Sequence, residues 1–214
     1  MTIAVKICGL NSEAAVAAAV DGGAAYVGFV FYPPSPRAVG AARAAELCAG
    51  VSQGVQRVAL FVDATDAAIG AVLEAAPIDL LQLHGSETPE RVAQVKERFG
   101  RPVMKAVAIS SETDALVAEA YEADADMLLF DAKPPRRADA LPGGNGLAFD
   151  WRLIAGREWR LPWMLSGGLS AALLPEAVRI SGAAAVDVSS GVERSPGDKD
   201  PASIREFLRV ARSL

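Results

Sequence analysis

A (β/α)8 barrel is the fold class that the sequence predicts, and three observations predict it. The 214 residues alternate strand-like and helix-like segments, eight of each, at roughly 27 residues per unit. Polar residues close many of the strand segments, whereas a doubly wound open sheet, the alternative for such alternation, gathers its ligand groups at one switch point. No linker or shift of composition divides the chain, so residues 1–214 are expected to form a single domain.

Short apolar, β-branched or aromatic runs place the strands at Thr2–Cys8, Ala25–Phe31, Gln56–Val62, Asp79–Leu83, Pro102–Ile109, Asp126–Asp131, Pro162–Ser166 and Ala183–Val188. Between them, Ala- and Glu-rich stretches with helical apolar spacing predict helices at Glu13–Asp21, Gly40–Gly50, Asp66–Ala76, Pro89–Phe99, Glu112–Glu122, Trp151–Ile154, Ala171–Ile180 and Pro201–Ser213. Ser12 is a cap for the first of these. Thr88–Pro89 and Asp200–Pro201 each set a capping side chain before a proline at the first helical position. Gly22, Gly50 and Gly100 stand where helices should stop.

Composition removes several classes of function. Hydrophobic residues at 51% and charged residues at 22% are those of a globular chain, not a disordered one. No apolar run reaches the ~18 residues of a membrane-spanning helix, so no membrane association is expected. The net charge is −5, and no basic cluster is longer than Arg136–Arg137, so no nucleic-acid partner is expected. Lys6 interrupts the apolar N-terminal stretch, which lacks the layout of a secretion signal. With only Cys8 and Cys48 there is neither a disulfide scaffold nor zinc-site spacing, and a reduced, cytoplasmic protein is expected. No metal-ligand cluster or dinucleotide fingerprint occurs, so neither metal nor cofactor is implied. Charge and length are compatible with a monomer or a homodimer.

Barrel active sites lie at the C-terminal ends of the strands and in the loops after them. Those positions hold Cys8, Arg37, Asp63, Gln82, His84, Asp131, Ser166 and Asp187. Alternate strand residues share a face, so Lys6 points with Cys8 and Gln82 with His84. Cys8, followed by Gly9, reads either as an acid–base thiol or as a small buried hydrophobe. As a base near neutral pH it would need its pKa lowered, and Lys6 is placed to do that. Asp131 follows the apolar run Met127–Phe130, and such a layer disfavours an ionised carboxyl, as a general acid requires. A helix cap or an ion pair with Lys133 is the other reading. Asp187, in a similar setting, is suited to orienting a substrate.

The turns Ser166-Gly167-Gly168-Leu169 and Ser189-Ser190-Gly191 follow the seventh and eighth strands, where barrels commonly bind phosphate. Glycine lets backbone N–H groups approach an oxyanion. Together the two turns point to a phosphorylated small molecule as ligand. Arg37, on the stiff loop Pro33–Pro36, is suited to a bidentate grip on a carboxylate, unless it is simply a solvated surface residue. Pro142–Gly146 reads as a lid beside Asp131 or as a flexible connector. His84, the only histidine, reads as a hydrogen-bonded structural residue rather than a catalyst.

Taken together, Lys6-Ile7-Cys8-Gly9, Gly28–Tyr32 with Ser35-Pro36-Arg37, Gln82-Leu83-His84-Gly85, Asp131 with Lys133, Gly143–Gly146 with Phe149-Asp150-Trp151, Leu165–Leu169 and Val186–Glu193 resemble the phosphoribosylanthranilate isomerase family of tryptophan biosynthesis. The motifs run in order over the whole chain. The resemblance implies an aldose–ketose isomerase that performs an Amadori rearrangement of N-(5-phosphoribosyl)anthranilate without a cofactor. It implies that Cys8 is the general base and Asp131 the general acid. Arg37 would hold the anthranilate carboxylate, with Gln82, His84 and Asp187 contacting substrate. Gly167, Gly168, Ser189, Ser190 and Gly191 would hold the phosphate. The stretch Pro134–Leu141 is longer than in the shortest family members. The rival readings are another phosphate-binding barrel enzyme, such as a histidine-pathway isomerase with two strand-end aspartates, and a non-catalytic sugar-phosphate binder.

Overall fold

Eight parallel strands close into a barrel in chain order in the computed structural model, which describes residues 2–134 and 143–214. The strands are β1 (Ala4–Cys8), β2 (Tyr26–Val30), β3 (Gln56–Phe61), β4 (Leu80–Leu83), β5 (Val103–Ile109), β6 (Met127–Ala132), β7 (Trp163–Leu165) and β8 (Ala185–Val188), and β8 pairs back onto β1. Around them lie α1 (Glu13–Asp21), α2 (Ala41–Cys48), α3 (Asp66–Ala75), α4 (Pro89–Phe99), α5 (Glu112–Glu119), α6 (Leu174–Ser181) and α7 (Pro201–Arg212). Pro142, the Arg136–Arg137 pair and most of Pro134–Leu141 lie outside the described residues.

The helix starts follow the capping chemistry. Ser12, Thr88 and Asp200 each accept a backbone N–H from the first turn that follows, and Pro89 and Pro201 occupy first-turn positions where no N–H is needed. Gly100 ends α4 in the left-handed conformation at φ 58°. Three helices differ from expectation. The segment at 151–154 is a single 3-10 turn, Trp151–Leu153, capped by Asp150. Helix α6 begins at Leu174, not Ala171, because Pro175 is tolerated only in a first turn. Helix α5 stops at Glu119, and the chain turns back through Tyr121, whose carbonyl accepts from both Asp124 and Ala125.

One element was not anticipated. After β8 and a 3-10 turn at Ser190–Val192 comes a small hairpin, β9 (Glu193–Ser195) and β10 (Asp198–Lys199). Gly197 at its tip has φ 87°, and a Cβ there would lie 2.5 Å from the Pro36 carbonyl oxygen. The Asn11 side-chain amide also donates to the Gly197 carbonyl at 2.8 Å. The hairpin is therefore tied to the loop after β1 and packs against the loop after β2.

Strand alternation divides the buried residues into two layers. Outward-facing Ile7, Val27, Phe29, Leu81 and Phe130 pack under the helices. Inward-facing Val58, Leu80, Met104, Leu129 and Met164 form an apolar plug at the N-terminal ends of the strands. Further along β4, β6 and β7, the same face turns polar at His84, Asp131 and Ser166. The plug is the floor on which the site stands.

Candidate active site

The polar strand ends converge on a cavity at the barrel mouth. Cys8, Arg37, His84, Asp131 and Asp187 line it, and so do Gly167, Gly168, Ser189 and Ser190. Gln82, Gly191 and Asp63 do not line it.

Asp131 is held at both oxygens. Oδ1 accepts its neighbour's amide, Ala132 N, at 2.8 Å, and Oδ2 meets His84 Nε2 at 3.2 Å. Lys133, the alternative partner, instead pairs with Asp114 at 3.2 Å. Gln82 is fully buried under His84, and its side-chain amide nitrogen lies 2.8 Å from His84 Nδ1. With the amide donating, Nδ1 is the acceptor and the ring proton sits on Nε2, directed at the acid. Gln82 thus supports a hydrogen-bond chain to Asp131 from below the cavity floor. Gly143 lies directly over this pair. A Cβ there would stand 2.7 Å from His84 Nε2 and 2.9 Å from Asp131 Oδ2, so only glycine lets the loop settle on the acid.

Cys8 is buried, with its thiol facing Gly28 of β2, where a Cβ would lie 3.1 Å from the sulfur. The mid-strand glycine is the sequence signal for that close approach. Burial pushes the Cys8 thiol above the ordinary cysteine range. Lys6 pulls in the opposite direction, as its place on the same face of β1 suggests, but burial prevails and Asp187 adds to the rise. The expectation of a lowered thiol pKa is therefore corrected. Lys6 is completely buried and spends its charge on Asp187 at 2.9 Å. The other Asp187 oxygen accepts from Ser166 Oγ at 3.2 Å. An ion pair closes β1 to β8 where the sequence alone showed an isolated lysine.

Arg37 is buried, at 5% exposure, which rules out a solvated surface role. Its Nε and Nη2 donate to the two oxygens of Glu193, at 2.7 and 2.9 Å, and Nη2 also donates to the Gly144 carbonyl at 3.2 Å. The bidentate grip foreseen for a ligand is thus made on Glu193, and among the described residues Nη1 donates to no acceptor. Lys199, whose side chain is fully buried, donates to Glu193 Oε1 at 2.7 Å and to the Ser189 carbonyl at 2.8 Å. Neither Glu193 nor Lys199 was singled out by residue type or spacing. Glu193 stood only inside the Val186–Glu193 motif, and Lys199 had no signal.

Gly167 and Gly168 both have positive φ, 87° and 63°. Their amides donate to no acceptor among the described residues. A Cβ on Gly168 would press on the backbone of Leu147 and Ala148, and one on Gly167 would lie 2.8 Å from Ala132 N. Gly191 has a different part: any Cβ there would be driven into the Leu169 carbonyl, so it seats the eighth loop on the seventh. The Ser189 hydroxyl reaches the Cys8 carbonyl at 3.2 Å. The result is a cavity of mixed lining, with Val30, Leu60, Val62 and Leu169 among its apolar residues, that offers free backbone donors on one part of its wall and an arginine on another. A thiol and a carboxylic acid line the same space. No group of metal-ligating side chains occurs among the described residues.

A family model described as N-(5'-phosphoribosyl)anthranilate (PRA) isomerase matches residues 5–210. The chain belongs to the N-(5'-phosphoribosyl)anthranilate isomerase family. The member from Cereibacter sphaeroides is 58% identical over 210 residues, covering 98% of this chain and 99% of the relative. The crystal structure of the Thermotoga maritima phosphoribosyl anthranilate isomerase superimposes with a TM-score of 0.88 at 36% identity, over 99% of this chain and all of that one. A further isomerase structure, in complex with reduced 1-(o-carboxyphenylamino)-1-deoxyribulose 5-phosphate, has a TM-score of 0.85 at 35% identity, with coverage of 99% and 100%.

Proposed function

We propose that this isomerase converts N-(5'-phosphoribosyl)anthranilate to 1-(2-carboxyphenylamino)-1-deoxyribulose 5-phosphate, a step of tryptophan biosynthesis, with Asp131 as general acid and Cys8 as general base. The observation that carries the reading is the single cavity lined by Cys8, Asp131, Arg37 and the Gly167–Gly168 turn. A phosphate on the glycine turn and a carboxylate at Arg37 would fix the substrate at both ends, with its ribose between thiol and acid.

Asp131 protonates the ribose ring oxygen as the C1–O bond breaks and the anilino nitrogen supplies its electron pair. The open chain is then a protonated Schiff base. The Cys8 thiolate removes the proton from C2, and the C2–H electrons form the enolamine double bond. A proton moves from the C2 hydroxyl to C1, which leaves the ketone. One proton returns from thiol to carboxylate through solvent to reset the pair. The substrate nitrogen is the electron sink, so the sequence of steps needs no external oxidant or reductant. Gln82 and His84 hold Asp131, while Asp187 and Ser166 hold Lys6 beside Cys8. These residues support the two proton-transfer groups.

The site residues belong to one chain, so the chemistry suits a monomer or a homodimer alike. Among the described residues no helix is long and apolar enough to cross a membrane. Two free, buried thiols suit a reducing cytoplasm.

The test is turnover of the fluorescent anthranilate adduct. Cys8→Ser and Asp131→Asn should each lower kcat by about 10²–10⁴-fold while binding of a phosphorylated product analogue stays near wild type. Unchanged turnover in either variant removes that group from the mechanism.

A further inference from the structure

The arginine and the phosphate turn of the proposed site lie on loops after different strands, and the β9–β10 hairpin joins them. Glu193 and Lys199 pair across the hairpin, beside a shift of register at Asp198–Lys199, with a 2.7 Å ion pair. On one side Glu193 takes both Nε and Nη2 of Arg37. On the other, Lys199 donates to the carbonyl of Ser189 at 2.8 Å and to its hydroxyl at 3.1 Å. That hydroxyl donates in turn to the backbone of Cys8. Neither Glu193 nor Lys199 lines the cavity, and their side chains are 4% and 0% exposed.

Charge argues for more than scaffolding. Arg37, Glu193 and Lys199 are two cations sharing one carboxylate, all buried. A buried ion pair that loses one partner is strongly destabilised, so the placement of each cation depends on the carboxylate they share. The carboxylate also cannot move toward one cation without loosening the other. Glu193 therefore senses both ends of the site.

We infer that Glu193 and Lys199 are positioning residues that couple the carboxylate end of the site to its phosphate end, so that the substrate's two anionic groups bind cooperatively. The inference rests on the proposed assignment of Arg37 to a carboxylate and of a phosphate to the Gly167–Gly168 turn, with Ser189 and Ser190 lining the same cavity beside it. Its signature is an effect at the far end. Lys199→Met removes a group next to the phosphate turn, and it should weaken binding of free anthranilate. Glu193→Gln frees Arg37, and it should weaken binding of inorganic phosphate.

Titrate the intact protein with inorganic phosphate and with anthranilate separately, by calorimetry, and measure kcat and KM on the same samples. The expected result is a loss of roughly tenfold at the far end in each variant, of the size a charge-assisted hydrogen bond supports. KM should rise more than kcat falls. Lys199→Arg, which keeps the charge, should recover part of the anthranilate affinity, as a purely structural role would not require. Losses confined to the near end in both variants overturn the coupling. If Lys199→Met does not fold, Glu193→Gln decides alone, because it keeps the side-chain volume. Wild-type protein that binds neither probe refutes the assignment of the two ends, a failure separable from loss of coupling.

Discussion

At the scale of single residues, the site is set by who holds whom. Burial raises the Cys8 thiol pKa, against the pull of Lys6. A base must be deprotonated to act, so a raised pKa moves the rising limb of kcat/KM toward alkaline pH. The limb should lie above about pH 8.5, the ordinary cysteine value. It should vanish in Cys8→Ser. A profile already flat between pH 7 and 9 would show that the free thiol is not the titrating base. His84 offers a second distinction. Its Nε2–H is aimed at Asp131 at 3.2 Å. His84→Ala should thus lower kcat by about ten- to a hundredfold, the worth of a hydrogen bond to a charged group, with little change in KM. A raised KM with kcat intact would return His84 to the substrate-contact role that its motif implies. Strand alternation put Gln82 and His84 on one face correctly, but alternation says nothing of depth. That is why Gln82 read as a contact when it is an underlying support.

At the scale of elements, the loops after β3 and β4 are stapled from outside the barrel. Lys105, 2% exposed and facing away from the cavity, donates to Glu87 and to the Gly85 carbonyl, both at 2.7 Å. Glu87 accepts from the amides of Asp63 and Gly85, each at 2.9 Å, and Asp63 accepts from Ser86 at 2.7 Å. This clasp fixes the chain immediately after His84. Lys105→Met strands a buried carboxylate, so it should destabilise the fold by about 3–5 kcal/mol, read from urea unfolding. The double change Lys105→Met with Glu87→Gln should recover much of that loss. A double variant as unstable as the single one would show that packing, not charge, dominates the clasp. Such a clasp explains the limits of sequence reading. The strands, the capped helices and the glycine turns are local patterns and were legible. The β9–β10 hairpin, by contrast, is defined by partners far along the chain: Pro36 under Gly197, and Arg37 on Glu193. Similarly, Lys6 read as a tuner of Cys8 because its partner, Asp187, lies 181 residues away.

Across the whole molecule, the barrel interior separates stability from chemistry by layer. The plug residues carry no polar atoms that the cavity uses, whereas the mouth residues above them spend their polar atoms on one another. Strand β5 makes the separation testable, because its inward side chains contribute nothing to the cavity lining. Met104 is fully buried in the plug, among Val58, Leu80, Leu129 and Met164. Met104→Ala removes buried apolar surface and leaves a void, at a cost of about 2–5 kcal/mol. Turnover per folded molecule, measured well below the unfolding transition, should stay within a few-fold of wild type, since no hydrogen bond at the mouth is touched. Cys8→Ser should do the reverse, abolishing turnover with little change in the urea midpoint. The two measurements together form a cross: one variant moves only stability, the other only catalysis. If turnover in Met104→Ala falls by the factor that Cys8→Ser shows, the floor and the mouth move as one body. The geometry of the proton-transfer pair would then depend on the packing beneath it.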